Sequence, residues 1–146
     1  MADASELIVS IPSGRRVDVA VGGHVVHTDQ PLDNGGEDSA VSPFELFLAS
    51  VGACAGIFVQ GFCAKRGLPC DEIRIVERPA YDAQGTLTQV ELEVQLPASF
   101  PAKYRDALLR VIDQCSVKKA IAAQPAFRVS ATQAPAAPAG GSAHAA

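Results

Sequence analysis

The stretch Ser42-Pro43-Phe44-Glu45-Leu46-Phe47-Leu48-Ala49-Ser50-Val51-Gly52-Ala53-Cys54-Ala55-Gly56-Ile57-Phe58-Val59 decides the fold. Ser42 can accept a hydrogen bond from the first helical amides, Pro43 fits the first turn, and Glu45 stands where a capping box needs its acid. The pattern predicts a helix that starts here, runs through Lys65-Arg66 and stops at Gly67 ahead of Pro69. Leu46 to Val59 carries no charge and is apolar on every face, but its 14 residues are too few to span a bilayer. It reads as a core helix that needs cover all round. One small sheet and one amphipathic helix cover part of that circumference, so the remainder is expected to pack on a second subunit. Gly52, Gly56 and Gly61 fit close approach of another backbone, or simply make room for Phe44, Phe47, Phe58 or Phe62.

Upstream, Glu6 to Ile11, Val17 to Val21 and His24 to Thr28 have strand composition. They are separated by Pro12-Ser13-Gly14 and Gly22-Gly23, a pattern that predicts a three-stranded meander. Gln30 to Ser42 is loop-like and can border a site. Downstream, Glu72 to Glu77 and Leu87 to Leu96 predict a hairpin. Its second strand puts Val90, Leu92, Val94 and Leu96 on a dry face and Gln89, Glu91, Glu93 and Gln95 on a wet one. After Pro101, Tyr104, Leu108, Val111, Ile112 and Cys115 form the stripe of a second helix. A short helical piece from Ser116 to Ala123 and a last strand, Phe127 to Ser130, are expected to finish one α+β domain over residues 1–131. Residues 132–146 are rich in Ala, Pro and Gly without apolar periodicity, and are expected to form a disordered tail.

The 146 residues and 48% hydrophobic content suit one core. A net charge of -4, with no basic cluster larger than Arg15-Arg16 or Lys118-Lys119, argues against nucleic acid. The N-terminus is acidic where a signal peptide needs basic residues, so a cytoplasmic location without membrane attachment is expected. In a reducing compartment the four cysteines are expected to be reactive or buried thiols rather than structural bridges. Cys54 and Cys115 lie on two core helices separated by the hairpin, and could meet as a two-cysteine redox site only in the folded protein. Cys63 is nine residues beyond Cys54, about half a turn out of phase. With Cys70 it reads as structural. His24 and His27 are three apart on a strand and face opposite sides, and the cysteines lack metal-site spacing. No glycine loop matches a nucleotide-binding pattern.

Ser42 to Cys54, followed by Lys65-Arg66-Gly67-Leu68, resembles the central helix of the osmotically inducible protein C and organic hydroperoxide resistance protein (OsmC/Ohr) family. Gln114-Cys115-Ser116-Val117-Lys118-Lys119 resembles its second cysteine motif, and Thr28 to Pro31 with Gly35 to Asp38 its loop. The resemblance implies an OsmC-like α+β fold, with antiparallel sheets packed around a long central helix in an intertwined homodimer. It implies a thiol-dependent peroxidase in which Cys54 attacks an organic hydroperoxide and forms a sulfenic acid. Cys115 resolves this as a disulfide, and a dithiol reductant of the lipoyl type restores both thiols. No metal, flavin or haem is implied. The chain departs from the family pattern at Phe44, where a glutamate follows the proline, and at Ser116, where a proline follows the cysteine. The activating cation is expected from Arg15 or Arg16. Glu45, also nine residues from Cys54, can orient that cation only across a subunit interface. The alternative is a non-catalytic protein of the same fold that binds a small apolar or thiol-bearing ligand in the dimer cleft.

Overall fold

The computed structural model describes residues 6–133. Strands β1 (Ile8–Ser10), β2 (Val17–Val21) and β3 (His24–Thr28) form an antiparallel meander in sequence order. Helix α1 (Pro43–Ala64) follows a loop, and the antiparallel hairpin β4 (Arg74–Tyr81) and β5 (Leu87–Gln95) follows α1. A 3-10 turn then leads into α2 (Arg105–Ile112) and α3 (Ser116–Ala122).

Helix α1 has the predicted punctuation. Ser42 Oγ accepts from the Glu45 amide, and Glu45 accepts in return from the Ser42 amide and hydroxyl, both at 2.8 Å. At the other end Leu68 N–H donates to the Cys63 carbonyl and Gly67 N–H to that of Ala64, with Gly67 at φ +63°. This pair of bonds is a Schellman motif and closes the helix where the glycine predicts. The core forms where Ala55, Val59, Phe62 and Cys63 of α1 meet Leu108 and Ile112 of α2, with Ile75, Leu92, Val94 and Leu96 packed on them from the hairpin. The dry face read from the alternation of β5 is therefore the one that α1 and α2 cover.

Three features differ from the sequence-based expectations or lie beyond them. Phe127 to Ser130 forms no strand, and Phe127 and Val129 are 90% and 97% exposed. Alternation makes a strand only where an edge offers a ladder, and this segment pairs with none in its own protomer. The expected tail from residue 132 lies almost wholly outside the described residues. Helix α1, at 22 residues, is long and apolar enough to cross a bilayer. Here it packs on α2, α3 and β4, although only 28% of its most apolar window is buried.

The loop after β3 is organised by Asp29, which is 1% exposed. Its carboxylate accepts from the amides of Gln30, Glu37 and Ser39 and from the Ser39 hydroxyl at 2.7 Å. A Cβ at Gly36 would overlap the Gln30 carbonyl, so glycine is required for the chain to turn this tightly. The Ser39 hydroxyl and amide, ahead of the other two amides and against the effect of burial, hold the Asp29 carboxyl at about 2. Because this lies below its ordinary value of 3.8, its contribution to stability is complete above about pH 4. That contribution is lost as the pH falls toward 2. Protection of the Glu37 and Ser39 amides from hydrogen exchange, relative to the intrinsic rate at each pH, should fall over that interval, and Asp29→Ala should remove the interval and lower stability at neutral pH. Unchanged exchange at those amides in the variant would refute this role.

Candidate functional site

Cys54 sits in the middle of α1, too far from that helix's ends to feel their partial charges. It is instead served by another helix. Cys115, fully buried, lies three residues beyond the end of α2 rather than on its stripe, and is the N-cap residue of α3. The first amides of a helix have no partner within it, and those of Val117 and Ser116 favour the ionised form of the Cys54 sulfur. The thiol is consequently held below the ordinary cysteine range. The hydrogen bond with the Cys115 thiol contributes most, then the Val117 amide, with the Ser116 amide and the Lys118 charge adding smaller effects against the cost of burial. Cys54 is half-buried and both thiols are free. The arrangement can present a thiolate to solvent with a second thiol beside it.

Among the described residues the cation that favours the Cys54 thiolate is Lys118, which also pairs with Asp113 at 2.9 Å. The sequence shows Lys118-Lys119 as a small basic pair and as the end of the second cysteine motif, without pointing to either as the cation at Cys54. Arg16 approaches Asp18 at 3.9 Å, and Arg15 lies beside Gly35 in a hollow lined by Gln30 and Asn34. Both belong to the meander, away from α1 in this protomer. The Glu45 carboxylate is engaged by Ser42 in the capping box. The amides of Ser116 and Val117 were also missed. Their signal was the short helix predicted from Ser116, whose start adjoins Cys115.

The remaining cysteines differ in kind. Cys63 is fully buried in the core, which pushes its thiol up, with the nearby Cys70 adding to the effect. Among the described residues no group of three or more His, Cys, Asp or Glu side chains could hold a metal ion. A groove of about 410 Å³ is lined by Ile57, Phe58, Gly61, Phe62, Lys65, Arg66 and Val111. Phe58 is one helical turn beyond Cys54 on α1. Arg66 closes its far end, its guanidinium 3.7 Å from the centre of the Phe62 ring.

Ser116 gives a test of the amide contribution. Proline is favoured at the first position of a helix, and Cys115, at φ -49° and ψ 122°, already has the extended backbone that must precede it. Ser116→Pro should leave the fold intact while removing one N–H from Cys54. The pH midpoint for alkylation of Cys54 should rise, and Lys118→Gln should raise it further. An unchanged midpoint in both variants would show that neither group acts on the thiol.

A family model described as OsmC-like protein matches residues 36–130. No curated protein matches the sequence at a significant level. Among solved structures, the chain is similar to a Psychrobacter arcticus protein named for a proposed role in osmotic stress and detoxification, with a TM-score of 0.69 at 16% identity over 82% of this chain and 90% of that one. An OsmC like protein from Mycoplasma pneumoniae gives a TM-score of 0.68 at 8% identity over 85% of this chain and 91% of its own. An organic hydroperoxide resistance protein from Elizabethkingia anophelis, with thiocyanate bound, gives 0.57 at 18% identity, covering 85% and 93%. At these identities the likeness is one of fold.

Proposed function

The chain belongs to the OsmC-like protein family, and from that membership we propose that it is a cysteine-based peroxidase that reduces organic hydroperoxides. The observation that carries this reading is the Cys54 thiol, whose ionisation is favoured by Cys115 and by the first amides of α3. The Cys54 thiolate attacks the distal oxygen of the hydroperoxide. The O–O bond breaks, Cys54 becomes a sulfenic acid, and the alkoxide takes a proton to leave as the alcohol. The Cys115 sulfur then attacks the sulfenic sulfur, forming the Cys54–Cys115 disulfide and releasing water. A dithiol, of the lipoyl type in the family, reduces the disulfide and leaves as its own disulfide. The groove lined by Phe58, Phe62 and Val111 offers apolar cover for the organic part of the substrate.

Two copies assemble, in this reading, through the uncovered face of α1. Ile57 is 66% exposed there, and Phe44 and Tyr81 pair their rings at 6.4 Å on the surface of the same protomer. The meander points to the same conclusion: Leu7, Ile8, Val9, Ile11 and Val25 are exposed on it, and its packing on the rest of its own protomer is slight. A sheet of three short strands needs a hydrophobic partner, and a second copy supplies one. Free thiols suit the reducing cytoplasm as the place of action.

The test is consumption of an alkyl or aryl hydroperoxide, matched mole for mole by oxidation of dithiothreitol or dihydrolipoamide. Peptide mapping after mild peroxide should find Cys54 joined to Cys115 within one chain. Absence of turnover in protein whose thiols remain reduced would overturn the peroxidase reading in favour of ligand binding on the same fold.

A further inference from the structure

Lys65, Arg66 and Lys103 gather at one end of the apolar groove along α1, in a chain whose net charge is -4. Lys65 and Arg66 follow the last residue of α1 and line the groove themselves. Ile57 and Phe58 line it eight residues earlier, about 12 Å along the helix axis. Arg66 is held by its neighbours: its guanidinium lies 3.7 Å from the centre of the buried Phe62 ring and donates to the Phe62 carbonyl at 3.2 Å. Its remaining N–H groups are left to give. Tyr104 packs edge-on against Phe62, with the Arg66 guanidinium 5.5 Å and the Lys103 ammonium 4.9 Å from the centre of its ring. Among the described residues no carboxylate forms an ion pair with any of the three cations, and none lines the groove. At Gly61, midway along, an added Cβ would meet nothing, so the groove is open there.

We propose that this groove binds a single-chain amphiphile with an oxyanion head, a long-chain carboxylate or phosphate, its head on Arg66, Lys65 and Lys103 and its chain along Phe62, Phe58 and Val111. The site is one of binding in its own right, and its bearing on turnover rests on the peroxidase reading above. A guanidinium already stacked on an aromatic ring loses little further freedom when it forks onto an oxyanion, and its parallel N–H donors match the planar spacing of those oxygens. The two lysines act as point charges and favour the anion whatever its orientation. The end of α1 works in the opposite sense, since its last carbonyls carry partial negative charge, and Arg66 offsets this at the Phe62 carbonyl. Selectivity for an anion therefore belongs to side chains and is removed by substituting them. The apolar walls take up the chain, and each methylene group they cover should tighten binding about fourfold.

Calorimetric titration of the reduced full chain with octanoate, decanoate, dodecanoate and dodecyl phosphate, each below its micelle concentration, tests this. One molecule should bind per chain, more tightly as the chain lengthens, and dodecyltrimethylammonium should bind about tenfold or more weakly than dodecanoate. Lys65→Gln combined with Arg66→Gln should weaken dodecanoate about tenfold or more and abolish the preference for the anion, with Arg66→Lys alone falling between. Gly61→Leu should close the groove. It improves helix propensity and clashes with nothing at its Cβ, so lost binding with unchanged circular dichroism reports on the groove and not on the fold. If the double variant fails to fold, Gly61→Leu and the ammonium comparison decide the matter. Equal affinity for the ammonium and the carboxylate, many molecules bound per chain, or dodecanoate binding that survives in Gly61→Leu overturns the proposal. Turnover of tert-butyl hydroperoxide, which carries no acid, is measured on the same protein. Binding without turnover overturns the peroxidase reading alone, and turnover without binding overturns this site alone.

Discussion

Cys54→Ser is expected to lower hydroperoxide turnover at least a thousandfold, to the background rate of the dithiol alone, because a hydroxyl in place of the nucleophile has no oxidation ladder to enter (loss of a nucleophile: about a millionfold in a serine hydrolase). The fold should survive, since serine is nearly isosteric and the position is half-buried. Cys115→Ser separates the two roles. The variant should still consume one equivalent of hydroperoxide per chain, but the sulfenic acid then persists, can be trapped by a carbon nucleophile such as dimedone, and proceeds to sulfinic acid with excess peroxide. Cys63→Ser should change neither rate, because its thiol is buried in the core with its ionisation disfavoured. Turnover retained in Cys54→Ser, or a first equivalent lost in Cys115→Ser but not in Cys54→Ser, would reverse the assignment of nucleophile and resolving thiol.

Much of this arrangement could be read from the sequence because it follows from rules internal to one element. The cap at Ser42 and Glu45, the stop at Gly67, the two faces of β5 and the stripe from Leu108 to Ile112 each depend on residues within a few positions of one another. What the sequence hides depends on how elements meet. Periodicity places Cys54 mid-helix and suggests a thiol without electrostatic help. That help comes from the start of α3, more than sixty positions along the chain. Gly52 illustrates the same limit. Its glycine signals close approach, but what approaches is the carboxylate of Glu77, while nothing in the protomer lies within contact of a Cβ at Gly56 or Gly61. Phe127 to Ser130 alternates like a strand and pairs with nothing in its protomer, because alternation reports a preference and not a partner.

Ile57→Glu is expected to convert the assembly to folded monomers. In the protomer Ile57 is exposed on a helix, where glutamate is a good helix former, so the substitution should leave the fold of each chain almost unchanged. In an assembly that covers this face, each copy would bury an unpaired carboxylate against the apolar surface of the other. One such buried charge costs about 3–5 kcal/mol, and a two-fold pair incurs the cost twice. The dissociation constant should therefore rise at least a hundredfold, enough to show monomers at micromolar concentration in sedimentation while circular dichroism stays the same. Ile57→Gln provides the control, since it removes apolar area without adding a charge and should weaken the pair far less. A dimer that tolerates Ile57→Glu would place the contact elsewhere and leave the uncovered face of α1 without an occupant. If monomers form and remain fully active, Cys54, Cys115 and the first amides of α3 suffice within one chain.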